Sequence, residues 1–126
     1  MKTLICFEST GRSLVVSKTV TASADYRRHE MFAGIELTIE PQDEHWGCDF
    51  SWEVSEGVIP FRFFDAVLSA VKKVVRECTA GDYLSRAVVR VVDGSFHAHD
   101  SSIRSYQVVT GMAMIRALKE LGLYLE

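Results

Sequence analysis

The stretch GVIPFRFFDAVLSAVKKVVREC, residues 57–78, decides the fold of this chain, because the hydrophobic period changes within it. Just before it, Cys48, Phe50, Trp52 and Val54 alternate with Asp49, Ser51, Glu53 and Ser55. A period of two is that of a half-buried strand. From Phe64 the apolar residues are Val67, Leu68, Val71, Val74, Val75 and Cys78, which follow the i, i+3, i+4, i+7 rule of an amphipathic helix. Asp65, Ser69, Lys72, Lys73, Arg76 and Glu77 take the other side. Pro60 suits the first turn, where its missing N–H is no loss, and Gly81 lies just past the end.

Upstream, Ile35, Leu37 and Ile39 alternate with Glu36, Thr38 and Glu40, and Pro41 closes that strand. With residues 42–47 as a turn, the two alternating runs read as an antiparallel pair with one wet face. Two weaker runs open the chain, residues 3–8 and 14–21, separated by Ser9-Thr10-Gly11-Arg12, and read as a hairpin. Residues 22–30 form a polar segment read as a loop. Downstream, the Val-rich residues 84–92, with Arg86 and Arg90 interleaved, read as a strand broken by Asp93-Gly94-Ser95. A second helix is predicted over residues 102–121, capped by Ser101 or Asp100 and stopped by Gly122. Val108, Val109, Met112, Ala113, Ile115, Leu118 and Leu121 form its apolar stripe. Together these elements predict one α+β domain over residues 1–126, with two helices on one face of a four- or five-stranded sheet.

The bulk composition agrees with a packed domain. Of 126 residues, 48% are hydrophobic and 25% charged, which excludes a disordered chain. No apolar run is long enough to span a bilayer, and the first residues read as a strand and not a signal peptide. Cys6, Cys48 and Cys78 lack metal-ligand spacing and read as structural thiols, which points to a reducing, cytoplasmic compartment. With 14 Lys and Arg against 17 Asp and Glu, the net charge is −3, so any contact with nucleic acid must come from a local patch.

The order of motifs is similar to a known family. Gly57-Val58-Ile59-Pro60 leads into a helix and a Val-rich strand. Asp93-Gly94-Ser95-Phe96-His97-Ala98-His99-Asp100-Ser101-Ser102 then leads into a second helix. This sequence of elements resembles domain IV of elongation factor G, over roughly residues 30–121. The strand ending Ile39-Glu40-Pro41 resembles its counterpart in the tetracycline-resistance ribosomal protection proteins of the same translational GTPase group. The resemblance implies a two-layer sandwich like domain 2 of ribosomal protein S5, with a left-handed βαβ crossover. It also implies a non-catalytic module whose two tip loops reach the decoding centre of the small ribosomal subunit.

Carried over by position, the second tip loop is residues 94–102. Ser95, Phe96, His97, Ala98 and His99 are its contact residues, and Gly94, Asp100, Ser101 and Ser102 structure it. The first tip loop falls on residues 22–31. The family's elongation factors carry a Gly-rich loop there, whereas this chain has Tyr26, Arg27, Arg28 and His29. Arginine binds phosphate in a bidentate manner, and aromatic or imidazole rings stack on unpaired bases, so these residues suit RNA. No Gly-rich phosphate loop is present, so neither a bound nucleotide nor another cofactor is expected.

Two other readings remain. A protein-interaction module on the same fold would pair two copies or bind another protein. A metal-dependent hydrolase would use His97 and His99 followed by Asp100 as ligands, but further ligands would have to come from distant residues such as His29 or His45.

Overall fold

The computed structural model describes residues 2–6, 11–28, 30–78 and 82–124, and of Cys6 and Cys78 it describes the backbone alone. In chain order the strands are β1 (Lys2–Cys6), β2 (Ser13–Val15), β3 (Val20–Arg28), β4 (Met31–Pro41) and β5 (Cys48–Trp52). A 3-10 turn, Phe61–Phe63, leads into α1 (Phe64–Cys78). Two strands, β6 (Tyr83–Ser85) and β7 (Ala87–Ser95), and the helix α2 (Ile103–Glu120) complete it.

Five strands form one sheet in the order β1-β5-β7-β4-β3, and β2 pairs with β6 in a small parallel ribbon. The helices pack against each other, and α2 lies over β3 and β4. This is the α+β architecture expected from the sequence, a five-stranded sheet with two helices. The alternation predicted for β4 and β5 holds on the helix-facing side, where Ile35, Leu37, Ile39, Cys48 and Phe50 are all buried. Val67, Val71, Val74 and Val75 of α1 meet Val109, Ala113, Met114 and Leu118 of α2 in the same core.

The pairing differs from the sequence reading in three places. First, residues 3–8 and 14–21 do not form a hairpin. β1 pairs antiparallel with β5, and β2 pairs with β6, some seventy positions away in register. Local turn signals gave way to partners distant in sequence. Second, β4 and β5 are not neighbours, because β7 inserts between them, antiparallel to β4 and parallel to β5. Two strands with clean alternation around a short loop look like a hairpin, but each has two edges, and a third strand rich in valine fills the gap. The parallel β5 and β7 are joined through α1, a βαβ unit.

Third, residues 84–92 are not one strand. Arg86 has φ of 51°, in the left-handed region, and it divides β6 from β7. Its guanidinium lies 4.1 Å from the ring centre of the exposed Trp46. The strand then runs past Asp93 and Gly94 to Ser95, so those residues do not break it.

Arg90 sits on the sheet face away from the helices. It donates to Glu53 from Nε and Nη2 at 2.7 and 2.6 Å, and to Glu40 from Nη1 at 2.8 Å. The bidentate pair holds the Glu53 carboxyl down at about 2 and pushes the Arg90 guanidinium further up. Asp49, nearly buried on the same face, receives His45 Nε2 at 2.7 Å. Because the Gly47 N–H donates to His45 Nδ1, the proton in that bond resides on Nε2.

Candidate nucleic-acid interface at the sheet tip

The segment read as the first tip loop, residues 22–31, is mostly strand. Val20, Ala22 and Ala24 are buried while Thr21, Ser23 and Asp25 are exposed, and the ladder with β4 continues until Arg28 pairs with Met31. Small alanines on the inward side, opposite polar residues, hid a period of two that a count of large hydrophobes misses. The hairpin therefore carries its candidate side chains on strand ends. Tyr26, expected as a contact residue, is half-buried on the core side. Arg27 points the other way, with its guanidinium 4.9 Å from the ring centre of its cross-strand partner Phe32. Arg28 is exposed beside it, and His29 lies outside the described residues.

The second loop folds back onto this hairpin. The Ser101 hydroxyl donates to the Phe32 carbonyl and accepts the His97 N–H, each at 2.9 Å. The Phe32 N–H donates to the Asp100 carbonyl at 3.0 Å, and the Ser101 N–H to the His97 carbonyl at 2.9 Å. Below the loop, the buried Tyr106 hydroxyl donates to the Ser95 carbonyl at 2.6 Å. Burial pushes this phenol up to about 12.

Helix α2 begins at a capping box. Ser102 Oγ accepts the Ser105 N–H at 3.1 Å, and Ser105 Oγ accepts the Ser102 N–H at 2.8 Å. The cap is thus Ser102, and neither Ser101 nor Asp100 fills that place. Ser101 is engaged by the hairpin, and the Asp100 backbone is bonded to Phe32. Gly94 has a separate reason. A Cβ there would lie 2.5 Å from Ile59 Cδ1 and 2.7 Å from the Gly34 carbonyl oxygen. Glycine lets the motif at residues 57–60 approach the strand end.

His97 is oriented by its own loop. Its Nδ1 accepts the N–H groups of His99 and Asp100 at 3.3 and 3.2 Å, so the neutral ring presents its N–H from Nε2. In this tautomer the 3.5 Å approach of Nδ1 to Asp100 Oδ2 is no ion pair. The ring packs edge-on to Phe32 at 6.4 Å, while Ala98 and His99 are exposed further out. Among the described residues, no three His, Cys, Asp or Glu side chains are grouped to hold a metal ion.

The two elements enclose an open cleft of about 520 Å³ lined by Arg27, Arg28, Met31, Phe32, Phe96, His97 and Asp100. Four of the expected contact residues meet there: Arg27, Arg28, Phe96 and His97. Two other lining residues, Met31 and Phe32, and Arg62 outside the lining were not singled out from the sequence. Met31 and Phe32 open β4, where the strand's apolar pattern masks their position at its end. Arg62 stacks over Phe63 and Phe96, with 4.7 and 5.2 Å to the ring centres, and adds a third cation to this end of the sheet. Its link to Phe96 spans too many residues for any local signal.

Comparison with known proteins agrees with this architecture. The family described as elongation factor G, domain IV, matches residues 11–121. Elongation factor G of Thermotoga maritima is 30% identical over 115 residues, covering 83% of this chain and 16% of that protein. Elongation factor G of Dinoroseobacter shibae is 30% identical over 92 residues, covering 72% and 13%. An elongation factor G-like protein of Synechocystis is 27% identical over 92 residues, covering 73% and 14%. A crystal structure of a Thermus thermophilus protein superposes with a TM-score of 0.73 at 23% identity, over 85% of this chain and 16% of that one. The chain thus spans about one-seventh of the length of the curated relatives it matches. On the span and order of these matches, the chain belongs to the elongation factor G domain IV family.

Proposed function

We propose that this chain is a non-catalytic RNA-contacting module that acts in translation by presenting its sheet tip to the small ribosomal subunit. The observation that carries the reading is the meeting of Arg27, Arg28, Phe96 and His97 in one cleft, although about seventy residues separate the two pairs. Guanidinium groups supply phosphate contacts, and the Phe96 and His97 rings supply stacking surfaces for unpaired bases. The hydrogen bonds through Ser101 hold the two elements in one arrangement, so little conformational freedom is lost on binding. The family relationship supports the ribosome as the source of that RNA. Asp100 in the same cleft repels phosphate and confines the favourable path to the side of the arginines.

Co-sedimentation with purified small ribosomal subunits tests this. The wild-type chain should bind saturably and lose affinity as salt rises. The pair Arg28→Ala with His97→Ala should reduce binding at least tenfold while its circular dichroism is unchanged. Absence of wild-type binding at moderate salt, or equal binding by the variant, refutes the proposal.

A further inference from the structure

The seam between α1 and α2 opens away from the sheet as a groove of about 720 Å³ that shares no residue with the tip cleft. Its floor is apolar, formed by Ala70, Val74, Val108, Met112 and Ile115. Its rim carries Lys73, Arg76 and Arg104 against the single acid Glu77. The sign of the rim is thus opposite to that of the chain, whose net charge is −3. Among the described residues, none of those three cations makes an ion pair.

Gly111 adds an independent observation. It lies in the interior of α2 on the wall of this groove, and a Cβ built there meets nothing within 4 Å. A mid-helix glycine weakens a helix relative to alanine. No packing among the described residues requires the missing side chain. What it leaves is a flat shelf on which another backbone can lie close.

We infer that this groove receives an amphipathic α-helix of a protein partner, with apolar residues on the floor and acidic residues against Lys73, Arg76 and Arg104. From Arg104 to Ile115 the wall covers about three turns of α2, roughly 16 Å at 1.5 Å per residue. That length matches the i, i+3, i+4, i+7 anchors by which a helix engages a groove. A second copy docking groove to groove would set the same three cations against each other. An RNA strand would find phosphate partners on the rim and no use for the aliphatic floor.

The test uses two synthetic helical peptides that share leucines at i, i+3, i+4 and i+7, one flanked by glutamates and its twin by lysines. Titrating the full chain against each labelled peptide by fluorescence anisotropy should give saturable binding of the glutamate peptide, with Kd on the order of 10–100 µM. The lysine twin should bind at least tenfold more weakly. Gly111→Leu should abolish binding while circular dichroism and thermal melting report an intact helix, since its side chain enters open space. Arg76→Glu with Arg104→Glu should reverse the preference between the peptides. Equal binding of the two peptides, no saturation, binding that survives Gly111→Leu, a concentration-dependent mass of the free chain, or displacement of the peptide by an RNA oligonucleotide each overturns the inference.

Discussion

Ser101→Ala isolates the joint between the hairpin and the second loop. The substitution removes the hydroxyl that donates to the Phe32 carbonyl and accepts the His97 N–H, both at 2.9 Å. It leaves the helix cap at Ser102 in place. A protein hydrogen bond contributes about 0.5–1.5 kcal/mol net. Ser101 is half-buried, and water can replace part of what is lost, so the two bonds together should be worth about 1–2 kcal/mol. A chain of 126 residues has an unfolding entropy of about 0.26 kcal/mol/K, so the melting temperature should fall by about 4–8 °C. Native-state hydrogen exchange provides the local readout. The His97 amide, having lost its acceptor, should lose protection beyond the global change, while amides in the centre of β7 should follow only the global change. If the melting temperature moves by less than about 1 °C and His97 keeps its protection, the joint does not hold the tip as described.

Other expectations follow from the same geometry. Ser102→Ala should cost about 1 kcal/mol in urea unfolding through loss of the capping box, whereas Asp100→Ala should stay within about 0.5 kcal/mol; the reverse order would contradict the cap assignment. Gly94→Ala should cost about 1–3 kcal/mol, and Ile59→Val should relieve it only in part, because the Gly34 carbonyl also stands in the way; a neutral Gly94→Ala in denaturant titration would refute this. Arg90 holds Glu53 at about 2, below its ordinary 4.5, so the contribution of that ion pair is complete above pH 4.5 and disappears as pH falls toward 2. Glu53→Gln should therefore lose less stability than wild type across that window, and parallel acid arms would count against the pair. Tyr106 has the opposite sign. Its hydroxyl is held protonated up to about 12 against an ordinary 10, so folding should weaken as pH rises between those values, by up to about 3 kcal/mol. The alkaline arm of Tyr106→Phe should be flatter.

Much of the layer arrangement was legible because burial writes a period into the sequence. The stripe of α1 and the inward alternations of β4 and β5 were legible, whereas the wet face expected for β4 and β5 is not found at Thr38, Asp49 and Ser51, which are buried as well. Strand partnership was less accessible, since nothing in residues 48–52 says that their neighbour lies at residues 87–91 and not at 35–41. Arg86 shows the same limit at one residue. Its left-handed backbone is set by the hydrogen bonds of Gln42 and Trp46 to its carbonyl and N–H, which are tertiary contacts. In the candidate site, the chemistry of Arg27, Arg28, Phe96 and His97 was visible as residue type, but their common cleft depends on the long-range pairing of β4 with β7. The inward direction of Tyr26 was not legible, because the small alanines at residues 22 and 24 disguised an inward-facing row.

The position of β7 at the centre of the sheet has a consequence for a chain made from its N-terminus. As a nascent polypeptide grows, β3 and β4 can close on each other early, and β1 and β5 can meet across about fifty residues. Each of these half-sheets then shows an unpaired inner edge, and those two edges are separated by the width of a strand not yet synthesised. Only when residues 87–95 emerge does one segment satisfy both edges at once, with α2 still to come. Cooperative folding of this domain therefore waits for residues 87–95, and a ribosome stalled before residue 87 holds a species with two open strand edges, the form most prone to pair with another chain.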